Sequence, residues 1–247
     1  MGLLEALGPP PDAAAILERV PELGPSRGLG QSPYHHLDTF GHTLEVVRRV
    51  DEELRLGSLG ARVEAGRVEG LRLAALLHDV AKPVTRGEVE GRVIFVAHDS
   101  LGALLVRRVC RRLGVAALHT DMAVTLTALH LKIGFMEHPG SDYPPERLAL
   151  AAGPFGEELA VLSWADRLAA QGPRLKDEHI ERHRRLCGRF LEESRGRGPH
   201  PVPEYRDLAR RLPGAPEADV GYVAAWARLI AARGGSRDPV GLAVRLL

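Results

Sequence analysis

The stretch VEGLRLAALLHDVAKP, residues 68–83, runs through apolar positions and ends on an adjacent histidine and aspartate. Its spacing predicts a helix over Val68–Ala81 that Pro83 stops, because proline donates no backbone hydrogen bond and clashes with the preceding turn. His78 falls on the same stripe as the leucines and alanines that should face the core, and Asp79 follows it directly. A carboxylate in such a position is costly unless a positive group contacts it.

Two further predicted helices carry a polar side chain on their apolar stripe. In the helix predicted over Thr120–Lys132, His130 shares a face with alanine and leucine. In the helix predicted over Glu157–Gln171, Asp166 lies on the face that carries two leucines. These positions are exceptions to the usual pattern, in which a helix directs an apolar stripe to the core.

A divalent metal ion would satisfy several of these polar groups at once. No lysine or arginine lies on the same stripes, although Lys82 and Arg167 are close in sequence. Histidine nitrogen and carboxylate oxygen without thiolate suit Mn, Fe, Co or Ni, and tolerate Mg or Zn. Because His78 and Asp79 differ by ~100° around a helix, both can contact one ion or two neighbouring ions.

The rest of the sequence predicts an all-α protein. Further helices are predicted over about residues 13–20, 42–56, 99–113, 145–152, 175–193, 204–212 and 220–233. Glycines interrupt residues 84–97, VTRGEVEGRVIFVA, and a β-branched run follows them, so this segment is predicted to form at most a short hairpin.

The only plausible linker is the segment SRGRGPHPVP, Ser194–Pro203. It divides the chain into a domain of residues 1–195 and a helical C-terminal extension of residues 196–247. The extension is expected to pack on the domain, because its apolar side chains need burial. These side chains are Leu208, Leu212, Val220, Val223, Trp226 and Leu229.

Composition and charge limit the class of protein. With 247 residues, 45% of them hydrophobic, the chain can bury the core of one large domain or two small ones. Its net charge of +1 gives no support for RNA as a partner, although RNA remains possible. Cys110 and Cys187 provide no disulfide framework, so a reducing cytoplasm is expected. The residues from Met1 to Pro11 lack a signal-peptide pattern, and no apolar run reaches the ~18 residues that span a membrane.

The order of histidines and aspartates resembles the HD superfamily of metal-dependent phosphohydrolases, whose signature is a histidine, a later His-Asp pair and a distal aspartate. Members that hold two metals add two intermediate histidines. The residues that match this pattern in order are His42, His78, Asp79, His98, His130 and Asp166. The resemblance covers roughly residues 33–170 and implies a helical bundle that holds one or two divalent metal ions.

Two stretches, YHHLDTFGHTLEVV (residues 34–47) and VIFVAHDSLGALLVRRVCRRLGV (residues 93–115), look most like the HD domain of bacterial tRNA nucleotidyltransferases and poly(A) polymerases. Nothing upstream of His42 resembles their Gly-Ser and paired-aspartate motif, so a stand-alone HD domain without tRNA tailing is expected. No Gly-Tyr-Pro sequence follows His130, which disfavours a cyclic di-GMP phosphodiesterase. The single-domain hydrolase of symmetrical dinucleoside tetraphosphates shares the same order of ligands.

The resemblance implies hydrolysis of a small, nucleotide-like phosphoester by a metal-activated water. The expected catalytic residues are Asp79, Lys82, His98 and His130, and the expected phosphate contacts are Lys82, Arg86, Arg167 and His36. The alternative is a non-catalytic helical module that binds RNA or protein and keeps a structural metal site. Single residues also have structural alternatives, such as an ion pair between Asp166 and an arginine, or a helix cap by Asp38.

Overall fold

Helices make up most of the computed structural model. It describes residues 3–8, 10–197, 203–234 and 236–247. The α-helices are α1 (Leu3–Ala6), α2 (Ala13–Arg19), α3 (Thr39–Leu56), α4 (Val68–Leu77), α5 (Lys82–Thr85), α6 (His98–Leu113), α7 (Ala117–Leu129), α8 (Lys132–Phe135), α9 (Pro145–Ala152), α10 (Gly156–Ala170), α11 (Asp177–Arg195), α12 (Tyr205–Arg211), α13 (Glu217–Arg233) and α14 (Pro239–Val244). Short 3-10 helices cover Pro21–Ser26, Ala65–Arg67 and Gly153–Phe155.

The strands of the described residues form a single hairpin. β1 (Arg86–Val89) pairs with β2 (Arg92–Phe95) in an antiparallel register. This confirms the predicted all-α class with a short hairpin. None of the described helices is both long enough and apolar enough to cross a bilayer.

The helix that carries His42 begins earlier than predicted. The Asp38 carboxylate accepts a hydrogen bond from the Gly41 backbone N–H at 2.6 Å, which caps α3 at Thr39. Gly57, with φ of 62°, ends the helix in the left-handed conformation that is common at helix C-termini. His42 therefore lies inside the first turns of α3 rather than at its start.

α4 ends at Leu77, which is earlier than the predicted end of this helix. Pro83 lacks an N–H, and its ring would clash with the carbonyl of Asp79, so an α-helix cannot continue through it. Residues 78–81 form turns instead, and the Lys82 N–H donates to the Asp79 carbonyl at 2.9 Å. The His-Asp pair therefore lies in a turn at the helix end.

α7 forms the centre of the molecule. It is buried on nearly all sides, as its apolar circumference requires, and it packs against α4, α6 and α13. α10 packs against α3 and α11. This arrangement brings the C-terminal ends of α4, α7 and α10 close to the N-terminal turns of α3 and α6, which is where the polar residues identified in the sequence lie.

The C-terminal helices are part of this packing. α13 is buried on most sides and contacts α7 and α9. Gly221 permits a close approach, because a Cβ at this position would lie 2.2 Å from the Ala117 carbonyl oxygen. Of the side chains expected to be buried, Leu208, Val220, Val223 and Leu229 are buried and Leu212 and Trp226 are half-buried. The domain boundary at residue 195 stays a prediction, and residues 198–202 of the linker lie outside the described residues.

Candidate metal centre

Six polar side chains from five parts of the fold meet at one place. They are His42 of α3, His78 and Asp79 of the turn after α4, His98 at the start of α6, His130 directly after α7, and Asp166 of α10. Five of them are buried, and the Asp166 side chain is 22% exposed. The fold therefore gathers residues that are far apart in sequence.

One half of the cluster surrounds the Oδ2 atom of Asp79. His78 Nε2 lies 3.1 Å from this oxygen, and His42 Nε2 lies 3.9 Å from it. The Asp166 Oδ1 atom is 2.9 Å from His42 Nε2 and 3.9 Å from His78 Nε2. Two imidazole nitrogens and two carboxylate oxygens thus face a common space.

The other half of the cluster faces the Oδ1 atom of Asp79. His98 Nε2 lies 3.4 Å and His130 Nε2 lies 3.8 Å from this oxygen. The ligand atoms of Asp79, His98 and His130 are all within 4.8 Å of one another, and so are those of His42, His78 and Asp79. Because both groups share one carboxylate, the arrangement can hold two neighbouring cations.

Backbone carbonyls orient the rings of three of these histidines. The Nδ1 atoms of His78, His98 and His130 lie 2.8, 2.8 and 2.7 Å from the carbonyl oxygen three residues earlier. A carbonyl only accepts hydrogen bonds, so Nδ1 carries a proton in each of these rings, and in the neutral ring Nε2 keeps a lone pair for a metal. Hydrogen bonds of this kind orient histidines that bind metals.

Several atoms of the cluster lack a hydrogen-bond partner among the described residues. They include Asp79 Oδ1, His78 Nε2 and His98 Nε2, all of which are buried. Leaving such lone pairs away from water without a partner costs free energy. Divalent cations would satisfy them, and a set of histidines and carboxylates without thiolate suits Mn, Fe, Co, Ni or Mg. The residues present therefore fit the metal that the sequence predicts.

Lys82 is the positive group that contacts Asp79 directly. Its Nζ lies 2.6 Å from Asp79 Oδ2 and 2.6 Å from Gln31 Oε1. The same nitrogen is 5.3 Å from the centre of the Phe95 ring on β2. The sequence indicated only that Lys82 is near the His-Asp pair, whereas the turn after α4 brings the two side chains into an ion pair.

Neighbouring charges set the protonation of the cluster. Burial alone would raise the pKa of Asp79, but His78 and the nearby lysine hold it well below its ordinary value. Burial also opposes ionisation of Asp166, yet His42 keeps the pKa of this carboxyl well below its usual range. Burial and the charge of His78 lower the pKa of His130 to about 3. Near pH 7 the carboxylates are thus ionised and His130 is neutral, which are the forms that bind metals.

Two adjoining cavities open beside the cluster. The smaller one, of about 330 Å³, is lined by Asp79, Lys82 and the hairpin residues Val93–Phe95. The larger one, of about 470 Å³, extends along α8 and α11. Arg167 and His35 line both cavities. A ligand next to the cluster can therefore extend in two directions.

Two residues that were expected to contact phosphate, His36 and Arg86, are not part of either cavity wall. His36 is exposed, and its Nδ1 lies 2.9 Å from the Ala170 carbonyl oxygen, so its ring attaches the loop to the end of α10. Arg86 is exposed at the start of β1, and the cavity wall there is formed by apolar residues of β2. Their positions do not support the expected role.

His35 lies against the cluster in place of His36. Its ring centre is 4.8 Å from that of His42, and the two rings are nearly perpendicular at 86°. Burial, together with the charge of His42, lowers the pKa of His35 to about 4. His35 forms a β-bridge with Gln171, and neighbouring residues of extended backbone point to opposite sides. The sequence led to His36 as the expected phosphate contact, because sequence alone does not show which of two adjacent histidines faces inward.

Comparisons with known proteins identify the family. The family model described as the HD domain matches residues 39–171, a range that includes all six clustered residues. The chain is 34% identical over 173 residues to the A-adding tRNA nucleotidyltransferase of Deinococcus radiodurans, which covers 69% of this chain and 35% of that protein. It is 34% identical over 167 residues to the CC-adding tRNA nucleotidyltransferase of Thermus thermophilus, which covers 64% of this chain and 35% of that protein.

A third relative is the multifunctional CCA protein of Halorhodospira halophila. It is 33% identical over 121 residues, which cover 48% of this chain and 26% of that protein. The chain thus spans only about a third or less of the length of these curated relatives. Because the family model matches more than half of the chain, this protein belongs to the HD-domain family.

Proposed function

We propose that the protein is a metal-dependent phosphohydrolase that cleaves a phosphomonoester or phosphodiester of a nucleotide-like substrate with a metal-activated water. The observation that carries this proposal is the position of the Asp79 carboxylate between two groups of histidines. Its Oδ2 atom faces His42 and His78, and its Oδ1 atom faces His98 and His130. A carboxylate shared in this way suits hydrolysis of a phosphate ester at two neighbouring ions.

The chain's own residues hold the ions and the phosphate in this proposal. Asp79, Asp166 and the Nε2 atoms of the four histidines are the ligands. Bound divalent ions supply Lewis acidity, which lowers the pKa of water to about 7 and offsets charge on the phosphoryl oxygens. Lys82 Nζ already contacts two acceptor oxygens, and it donates to a phosphoryl oxygen.

The second candidate is a non-catalytic module that binds RNA or protein and keeps its metals for structure. The names of the relatives, which are tRNA nucleotidyltransferases, favour RNA as the ligand of such a module. The net charge of +1 argues against it, since binding to a phosphate backbone draws on an excess of lysine and arginine. The cavities beside the cluster, of about 470 and 330 Å³, are also of the size of small-ligand sites.

Metal analysis of the purified full chain, followed by a phosphatase and phosphodiesterase screen with added Mn, Co, Ni or Mg, tests the proposal. Asp79→Asn keeps the shape of the side chain but removes its charge, so hydrolysis should fall by at least about 100-fold and metal content should drop. Asp142→Asn changes an exposed carboxylate outside the cluster and should alter neither quantity. A metal-loaded wild-type protein that cleaves no phosphoester would contradict the enzyme and favour the binding module.

A further inference from the structure

The larger cavity beside the metal centre has walls that the proposed hydrolysis does not use. Its volume is about 470 Å³, and it begins at His130 and Asp166. Its other walls are the loop at Tyr34, the end of α8 at Phe135, and the facing sides of α10 and α11. Because α8 follows His130 closely and α10 carries Asp166, these walls are held in place relative to the metal ligands.

Two arginines of this cavity have no carboxylate partner. Arg167 and Arg182 both line it, and neither forms an ion pair within the described part of the chain. The Nε atom of Arg167 is buried and makes no hydrogen bond there. By contrast, the exposed Arg195 is paired with Glu157 at 2.7 Å. A buried donor without an acceptor is costly, so Arg167 favours an anion in this cavity. Arg182 is exposed, and its guanidinium, which also lines the cavity, can donate to the same anion.

The rim of the cavity carries aromatic rings that the protein leaves exposed. Phe135 is 58% exposed and Tyr34 is 40% exposed. The Tyr34 ring meets the edge of His179 with 6.0 Å between the ring centres. A planar group stacked on such rings would remove apolar area from water, which favours a nucleobase over a bare phosphate or a sugar.

We propose that this cavity binds the nucleoside and a non-scissile phosphate of a nucleotide that carries at least two phosphate groups. The base stacks on Phe135, and Arg167 and Arg182 hold the non-scissile phosphate. The scissile phosphate lies at Asp79 and Lys82, a placement that rests on the proposed function. A volume of about 470 Å³ lies within the range of small-molecule sites and leaves room for about one nucleoside, so a nucleic-acid strand is disfavoured.

Calorimetric titration of the full chain separates this subsite from the reaction. The probes are ADP with a methylene group in place of its bridging oxygen, methylenebisphosphonate, and adenosine. The ADP analogue should bind more tightly than either other probe, because it alone offers both a base and two phosphates. Phe135→Ala should weaken its binding about tenfold and leave methylenebisphosphonate unchanged. Leu56→Ala is the matched control, because this residue is 57% exposed at the far end of α3.

The arginines are tested with the same probes. Arg182→Gln should weaken the two phosphonate-containing probes roughly tenfold, because it removes a charged donor, and should leave adenosine unchanged. Arg185→Gln is the matched control, since Arg185 is exposed on the same helix but lies outside this cavity.

If Phe135→Ala binds the ADP analogue as tightly as the wild-type protein does, the subsite proposal is wrong. A six-nucleotide single strand that binds 100-fold more tightly than the analogue would overturn it as well, and would point to an RNA strand. If the analogue binds with the expected mutational pattern to a protein that hydrolyses no phosphoester, the subsite stands and the proposed function fails.

Discussion

Asp79 and Lys82 are both buried, and their charged atoms lie 2.6 Å apart. The carboxylate therefore serves the fold as well as the candidate metal site. Removing it leaves the Lys82 ammonium, at 6% exposure, without its opposite charge. Removing one partner of a buried ion pair lowers the free energy of unfolding by roughly 3–5 kcal/mol, whereas replacing both partners with apolar groups often changes it little.

A double-mutant comparison follows from this pair. Asp79→Ala should lower the free energy of unfolding of the metal-free protein by roughly 3 kcal/mol, because it leaves Lys82 unpaired. Asp79→Ala combined with Lys82→Met should recover most of that loss, while metal binding stays weak in both variants. Urea unfolding followed by circular dichroism measures the stabilities. Equal stability of the single and double variants would show that the ion pair contributes little.

Individual site residues differ in how far the sequence could predict them. The six clustered residues were predictable for two reasons. His78, Asp79, His130 and Asp166 lie on or beside an apolar stripe, and His42 and His98 complete an order of residues that a family shares. Phe135 and Arg182 gave no such signal, since an exposed phenylalanine or arginine is ordinary in a sequence. His183, in the helix predicted over residues 175–193, is buried with its Nε2 atom 3.0 Å from Ser163 Oγ. Whether His183 is buried depends on how α11 packs on α10, which the sequence alone does not show.

At the scale of helices, an ion pair links the two segments that carry His98 and His130. Lys132, the first residue of α8, places Nζ 2.6 Å from Oδ2 of Asp99, next to His98. Burial would raise the pKa of Asp99, but the Lys132 ammonium holds it below its ordinary value. The pair fixes the start of α6 against the residues after α7. It therefore positions both histidines on the Oδ1 side of Asp79.

Lys132→Met should therefore weaken metal binding in one half of the cluster more than in the other. We expect about a tenfold loss of affinity for the more weakly held ion, since groups that orient metal ligands contribute on this order. The double variant Asp99→Lys with Lys132→Asp exchanges the two charges, and it should restore part of the lost metal affinity. Lys176→Met, at a side chain that is 71% exposed, is the control. Titration with Mn measures the affinities for the two ions. An equal loss of affinity for both ions would contradict the inference that the Lys132–Asp99 pair acts on only one half of the cluster.

The helices themselves were largely predictable, and their ends were less so. α9 begins and ends where the apolar spacing predicts. The end of α4 was placed too late, because periodicity continues through residues 78–81 although Pro83 forces a turn before it. α14 was not predicted, because a six-residue helix is too short to show a periodic pattern.

At the scale of the whole molecule, the C-terminal helices support α7, the helix that directly precedes His130. Arg228 of α13 donates hydrogen bonds to Asp121 and Thr125 of α7, all three of them buried. Tyr205 of α12 donates to the same aspartate at 2.9 Å. Without these partners Asp121 would be a buried, uncompensated charge. The described C-terminal helices and the candidate metal centre should therefore unfold as one cooperative unit.

Gly221→Ala tests whether the C-terminal helices and the metal centre unfold together. The added Cβ would lie 2.2 Å from the Ala117 carbonyl oxygen and must push α13 away from α7. Overpacking of this kind should lower the free energy of unfolding by about 2–3 kcal/mol and reduce Mn affinity at the same time. Gly188→Ala is the matched control in α11, where an added Cβ meets no atom within 4 Å, and it should stabilise the protein by about 0.5–1 kcal/mol. Calorimetric melting should show a single transition for all three proteins. Two transitions, of which Gly221→Ala shifts only one and leaves Mn affinity unchanged, would instead make the C-terminal helices a separate domain.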